Sequence, residues 1–169
     1  MRRSTTRTRG GNSLIEFTLL GIPVMFITIS IVAVSVGMWE FQSLEYATQT
    51  TTRYISMHGA SCAQNGNSCT ITVGNIAAYF AAQELPLDTT ILSVTLTDAG
   101  GTPVSCSPVS TCTSSSTQFP GASHNSVGSN VTVSATYVLK NPIALFWPPD
   151  HDSSHDFTVG ATSTQRIVF

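Results

Sequence analysis

Charge is the scarcest feature of this 169-residue sequence. Only 9% of the residues are charged, and the formal net charge at pH 7 is −2. Proteins that bind nucleic acids carry a basic face, so this composition argues against a nucleic-acid partner. The few basic side chains are not evenly spread, because four arginines fall within the first nine positions.

The sequence also lacks the motifs of common catalytic sites. It contains no recognisable nucleophile motif and no phosphate-binding glycine loop. A pocket would have to be assembled from an unusually charge-poor domain. We therefore expect no enzyme activity, no cofactor and no small-molecule substrate.

Metal-site spacing is missing as well. The four cysteines are Cys62, Cys69, Cys106 and Cys112; neither short pair is C-x-x-C, and no histidine accompanies them. Three disulfide pairings are possible in principle. The short separations favour Cys62 with Cys69 and Cys106 with Cys112, each stabilising the fold by roughly 2 to 3 kcal/mol.

One polar cluster has a composition that suits a divalent cation: Asp150, His151, Asp152, His155 and Asp156. Its histidine spacing would serve as a ligand pair only in a helix. Two prolines precede the cluster and serines interrupt it, which is typical of a solvated loop. We therefore predict no metal site.

A long apolar run dominates the N-terminal part of the chain. It extends from Phe17 to Trp39 without a charge. A helix of about 23 residues is roughly 35 Å long, enough to cross a hydrocarbon core of about 30 Å. A membrane span is therefore expected.

The flanks of this run predict its orientation. Arg2, Arg3, Arg7 and Arg9 precede it, whereas the much longer remainder holds only three basic residues. Positive residues stay on the cytoplasmic side, so we expect a single-pass protein of the inner membrane with residues 40–169 outside. Trp39 and Phe41 would lie in the outer aromatic belt.

Glu16 lies at the edge of this span, where burying a carboxylate costs a few kcal/mol. A cut between Gly11 and Asn12 would place a new α-amine four residues before Glu16, one helical turn away on the same face. The cut would thus create a partner for the carboxylate, within one chain or between neighbouring helices.

The segment GGNSLIEF, preceded by basic residues and followed by the apolar run, resembles the class III leader of type IV pilin-like proteins. Together with a second helical stretch and a β-rich tail ending in TSTQRIVF, it most resembles the TadE-like minor pseudopilins of tight-adherence (Tad) pili. The resemblance implies cleavage by a prepilin peptidase after Gly11, with Asn12 as the new N-terminus. It also implies that Glu16 and Phe17 act in assembly, and that the partners are the membrane, other pilins and Tad assembly components.

The pattern of residues 40–58 predicts that the helix continues past the membrane. An apolar stripe recurs every three or four residues, and Gly59 is expected to stop the helix. The stripe consists of Phe41, Leu44, Thr48, Thr51 and Ile55.

Further elements are expected after the first cysteine pair. Residues 74–85 predict a short helix stopped by Pro86. Alternating apolar residues predict strands at 90–97, 130–139 and 157–168. Between the first two strands, the Ser/Thr/Gly/Pro-rich residues 98–128 predict a long loop without regular structure.

The expected fold class is α+β. A long N-terminal helix, combining a membrane span and an amphipathic stem, packs with a short helix and a small antiparallel sheet of about three strands. Residues 1–11 form a basic leader, residues 12–39 the span, and residues 40–169 an extracytoplasmic domain that we call the head. The apolar residues 143–147 are expected to rest on the membrane surface or on the stem.

Three functional interpretations remain open from the sequence. The first is a processed minor pilin or pseudopilin of a Tad-type pilus, retained in the membrane or incorporated into surface pili. The second is a minor subunit of another type IV pilus or of a type II secretion pseudopilus. The third belongs to a different class: a single-pass envelope protein that binds a ligand or partner and is never processed.

Overall fold

The computed structural model describes residues 12–62, 69, 71–83, 87–139 and 157–169, with side chains from residue 15 onward. Its helices are α1 (Asn12–Ser56) and α2 (Val73–Ala81). Its strands are β1 (Ser93–Thr97), β2 (Pro103–Cys106), β3 (Asn130–Leu139) and β4 (Phe157–Arg166), and a 3-10 helix covers Val109–Cys112. The predicted α+β class, with one long helix, a short helix and a small antiparallel sheet, is confirmed.

Helix α1 is continuous through the predicted span and stem. Its second half packs against β3 and β4. The predicted stripe is buried from Leu44 onward, whereas Phe41 is 38% exposed. Small residues that the stripe did not include complete the buried face: Ala47, Thr52 and Ser56.

Hydroxyl groups can face the core on α1 because the helix itself accepts their hydrogen bonds. Thr48 Oγ1 donates to the carbonyl of Leu44 at 2.7 Å, and Thr52 Oγ1 donates to the carbonyl of Thr48 at 2.6 Å. Such back-bonding lets a threonine pack with its methyl group against apolar neighbours. The stem therefore buries Thr48 and Thr52 at little polar cost.

The sheet has four antiparallel strands in the order β2-β1-β3-β4, one more than predicted. Val94 of β1 lies opposite Cys106 of β2 and opposite Ala135 of β3, and Ala135 in turn lies opposite Ala161 of β4. The inner face carries the alternating apolar residues and covers α1. The outer face is rich in serine and threonine, which gives the sheet one dry and one wet side.

The region 98–128 is more structured than predicted. It contains β2 and the 3-10 helix, and its later part binds the segment leading into α2 through the backbone: Val73 N donates to Thr117 O at 2.8 Å, and Phe119 N donates to Ile71 O at 3.0 Å. Val109 and Phe119 are buried. The prediction of an unstructured loop was wrong because its hydrogen-bond partners are distant in sequence.

Helix α2 is shorter than predicted and ends at Ala81. Its start is well determined, because the side chains and backbones of Thr72 and Asn75 form a reciprocal capping box. The predicted inward residues Ile76 and Phe80 are fully buried, while Tyr79 is partly exposed and stacks on Tyr54 of α1 with ring centroids 4.3 Å apart.

Gly59 has a different role from the predicted helix stop. Helix α1 ends earlier, at Ser56, and the backbone of Gly59 is not left-handed. A methyl group added to Gly59 would lie 2.0 Å from the carbonyl oxygen of Phe169 and 2.1 Å from Cγ2 of Ile167. Glycine is therefore needed because the C-terminal residues pass directly over this position.

Candidate membrane span and its junction with the head

The first half of α1 presents its apolar side chains to the outside on every face. None of its most apolar 18-residue window is buried. The described residues contain one helix that is long and apolar enough to cross a membrane, and this is it. In a soluble protein, a helix of this composition would have its apolar side chains buried in the core. Packing within the described chain therefore does not account for the apolar surface of this helix.

The junction between this surface and the head is narrow. Trp39 is 59% exposed, Glu40 is the first charged residue after Glu16, and Leu44 is fully buried. Within about one and a half turns, α1 thus changes from an apolar exposed helix to one packed on the sheet. The uncharged stretch between the two glutamates is roughly 35 Å long.

Hydroxyl side chains within the apolar half also bind the helix itself. Ser30 Oγ donates to the carbonyl of Phe26 at 2.8 Å, and Ser35 Oγ donates to the carbonyl of Ile31 at 2.7 Å. Thr28 Oγ1 likewise donates to the carbonyl of Val24. Hydroxyls satisfied in this way can face hydrocarbon, where water offers no partner.

The predicted processing and assembly residues lie at the start of α1. Gly11 falls outside the described residues, and Asn12 is the first residue of the helix. Glu16 follows one turn later and is exposed, as is Phe17, with 76% of its surface accessible. The structure thus places Asn12 and Glu16 at the helical spacing that the sequence predicted.

Two features of the apolar half were not singled out from the sequence. Gly37 has no atom within 4 Å of the position where a Cβ would lie, so nothing in the described chain requires glycine there. On the same half, Thr28, Ile29, Val32, Ala33 and Val36 line a shallow apolar groove. The sequence does contain a pattern that could have indicated these features, because Ala33 and Gly37 are small residues four positions apart, a spacing typical of helix–helix contacts in membranes.

Both disulfides join the cysteines with the shortest separations. Cys62 is bonded to Cys69 just after α1, and Cys106 of β2 is bonded to Cys112 at the end of the 3-10 helix. Among the described residues, no group of three metal-binding side chains is brought together. The Asp/His cluster at 150–156 and the apolar residues 143–147 lie outside the described residues.

Tyr137 is a buried ionisable residue on the inner face of the sheet. It is 7% exposed and lies opposite Val159 in the β3–β4 pair. Burial raises the pKa of Tyr137; a hydrogen bond with the backbone of Asp88 opposes this, and the negative charges of Glu40 and Asp88 add to it.

Comparison with known proteins gives no identification. No protein-family model matches the chain, and no curated protein or solved structure matches it. Its function must therefore be argued from the apolar helix, the residues at the start of that helix and the head packed on its second half.

Proposed function

We propose that this protein is a minor pilin or pseudopilin of the TadE-like type. It is anchored by α1, cut after Gly11 by a prepilin peptidase, and acts in the assembly of a Tad-type pilus and in surface adherence. One observation carries the proposal: Glu16 stands one turn after Asn12, the first helical residue, at the start of an unburied apolar helix.

The physical reason for cleavage lies in the charge of Glu16. A carboxylate in a packed apolar environment is costly, and a neighbouring α-amine lowers that cost by neutralising its charge. At a separation of about 4 Å and an effective dielectric constant near 20, the attraction is roughly 4 kcal/mol before desolvation costs. Removing residues 1–11 supplies that amine on Asn12.

The unburied surface of α1 supports assembly through helix packing. Small residues allow helices to approach closely in lipid, where hydrophobic burial does not drive association. Open space at Gly37 and the groove beside Ala33 are features that a neighbouring helix would fill. Helices packed along this half of α1 would form the shaft of a fibre or an assembly intermediate in the membrane.

The proposed location follows from the distribution of charge. The arginines before Gly11 keep the N-terminus in the cytoplasm, and the head lies outside the inner membrane. The two disulfides suit an oxidising compartment such as the periplasm or the cell surface. A cytoplasmic head would be expected to lose them.

Processing is tested by mass spectrometry of the N-terminus of the protein isolated from cells with and without the prepilin peptidase. We expect a mature chain that begins at Asn12 only when the peptidase is present. A chain that still begins at Met1, in cells that process other pilins, would exclude the proposal. That result would favour the unprocessed envelope protein.

The role of the carboxylate is tested separately with Glu16→Gln. This variant should be cut normally, because its cleavage site is intact, but should assemble poorly, because the Asn12 amine has lost its partner. Glu45→Gln is a matched control, since Glu45 is an exposed carboxylate on the same helix beyond the span. Normal piliation in both variants would contradict the role assigned to Glu16.

Gly37 provides an independent test of helix packing. Gly37→Leu fills the open space and should reduce incorporation into pili or co-purification with other pilins, while Gly37→Ala should be tolerated. Neither change touches the head, so urea unfolding of the head in detergent should be the same for both. Normal assembly of Gly37→Leu would show that this face of α1 is not the packing face.

A further inference from the structure

Hydrogen bonds at one end of the β3–β4 hairpin show how the hairpin is oriented along α1. Val168 N donates to the carbonyl of Ser56 at 3.0 Å, and Ser56 Oγ donates to Oε1 of Gln165 at 3.3 Å. The C-terminal end of β4 therefore lies beside the end of α1, which is the part of α1 farthest from the span.

The opposite end of the hairpin lies near the span. The register of β3 and β4 places Tyr137 and Leu139 at the end of the hairpin away from Gln165, and Tyr137 is buried in the same core as Leu44. The charge of Glu40 is one of the causes that raise the pKa of Tyr137. Two residues farther along β3, Leu139 pairs with Phe157, the first residue of β4. Two residues of a strand advance about 6 to 7 Å, so this pair lies beyond Tyr137 on the side of the span.

The lengths of the two elements agree with this placement. From Ser56 back to Trp39, α1 rises about 25 Å, at 1.5 Å per residue. Strand β4 has 10 residues, and the side chain of its Gln165 contacts Ser56. From Gln165 to Phe157 the strand advances about 26 Å, at about 3.3 Å per residue, which matches that rise.

Leu139 and Phe157, at this end of the hairpin, are apolar residues that remain accessible to solvent. Phe157 is 66% exposed, and Leu139 is only partly buried. Trp39, at a similar height on α1, is 59% exposed. Aromatic residues at this height are typical of the boundary between hydrocarbon and water.

We infer that Leu139 and Phe157 contact the surface of the bilayer that α1 crosses, so that the head is held on the membrane at a second point besides its own helix. The occupant is lipid because this apolar end continues the apolar surface of α1 across the junction. The second contact restricts the tilt of the head relative to the membrane. The inference rests on the membrane span in the proposed function, and it does not depend on cleavage after Gly11.

The test uses the full chain in phosphatidylcholine vesicles that contain phosphatidylcholine spin-labelled near the headgroup. All four native cysteines are in disulfides. A single cysteine introduced at an exposed position can therefore be labelled with a polarity-sensitive fluorophore. The three variants are Phe157→Cys at the proposed contact, Met38→Cys on the span, and Val127→Cys as the matched control.

Val127 is a suitable control because it is 57% exposed and lies near the far end of the head, where its neighbour Gly128 donates to the carbonyl of Ile167 at 2.9 Å. It should be about 20 to 25 Å farther from the lipid than Phe157, on the helical rise between the two ends. We expect the label at 157 to be quenched at least half as strongly as the label at 38, with a blue-shifted emission. The label at 127 should be quenched as little as free fluorophore.

Each of the other outcomes would refute a specific part of the proposal. Quenching at 38 without quenching at 157 would refute the second contact and leave the span intact. Equal quenching at 157 and 127 would show that the head lies on the lipid without the proposed orientation, which also refutes the contact. Absence of quenching at 38 would refute the span and the contact together.

Discussion

A single methyl group at position 59 tests how the head is closed. The C-terminal residues cross over Gly59 so closely that the Cβ of Gly59→Ala would lie 2.0 Å from the carbonyl oxygen of Phe169 and 2.1 Å from Cγ2 of Ile167. Backbone atoms do not yield as a flexible side chain does. The tail would therefore have to move by more than an ångström.

The cost of that movement follows from what holds the tail in place. Ile167 is 1% exposed, and Val168 N is bonded to Ser56 O at 3.0 Å. Overpacking of a buried site costs about 1 to 3 kcal/mol, and a lost hydrogen bond costs about 0.5 to 1.5 kcal/mol. We therefore expect Gly59→Ala to lower the free energy of unfolding by about 2 to 4 kcal/mol.

The measurement is urea unfolding of the full chain in detergent micelles, followed by tyrosine fluorescence or circular dichroism. Gly37→Ala is the matched control, because the same substitution there meets no atom within 4 Å. Combining Gly59→Ala with Ile167→Ala should cost less than the sum of the two single changes, because Ile167→Ala removes one of the two clashing groups. Such coupling between contacting residues is typically 0.5 to 3 kcal/mol.

Two results would refute this reasoning. If Gly59→Ala unfolds at the same urea concentration as the unmodified protein, the tail does not pack on Gly59. If the double variant is no more stable than the sum of the two single changes predicts, the clash with Ile167 is not the cause of the loss.

Three further predictions concern the head. The hydroxyl of Thr51 is fully buried and has no hydrogen-bond partner among the described residues, so Thr51→Val should raise the free energy of unfolding by about 1 kcal/mol. Thr52→Val should not raise it, because this variant loses a hydrogen bond to a carbonyl. Urea unfolding of both variants checks the prediction. Because the pKa of Tyr137 is raised in the fold, the unfolded chain loses the Tyr137 proton first as the pH rises past about 10, and the free energy of unfolding should fall there. In Tyr137→Phe the fall between about pH 9 and pH 11 should be smaller. An equal fall in both proteins would contradict the raised pKa of Tyr137. Replacing Cys106 and Cys112 together with alanine should cost about 2 kcal/mol, from the loop-closure entropy of a disulfide between cysteines six residues apart, and thermal unfolding with and without reductant would measure it.

The sequence was most informative where the pattern is local and long. The uncharged run and the three-and-four spacing after it predicted one continuous helix and its buried stripe at Leu44, Thr48, Thr51 and Ile55. The alternation in 130–139 predicted β3 with its bounds, because a strand buried on one face repeats every two residues. The short separations of the cysteines favoured the two disulfides that the structure contains.

Strand β2 shows where local pattern was insufficient. It has only 4 residues, begins with Pro103 and lies at the edge of the sheet, so it lacks an alternation long enough to recognise. Its position depends on β1, and that of residues 115–119 depends on backbone hydrogen bonds to residues 71–74. Composition alone therefore made the whole region resemble a loop.

The sequence by itself determined the long apolar run of α1, the spacing of Asn12 and Glu16, and the helices and strands whose periodicity extends over two or more turns or several alternations. Only the tertiary structure decided the order of the four strands, the crossing of Ile167 and Phe169 over Gly59, and the contacts of Ser56 with Gln165 and Val168. The reason is physical: periodicity reports which side of an element is buried, whereas strand order and close approach depend on residues that are distant in the chain and meet only when it folds.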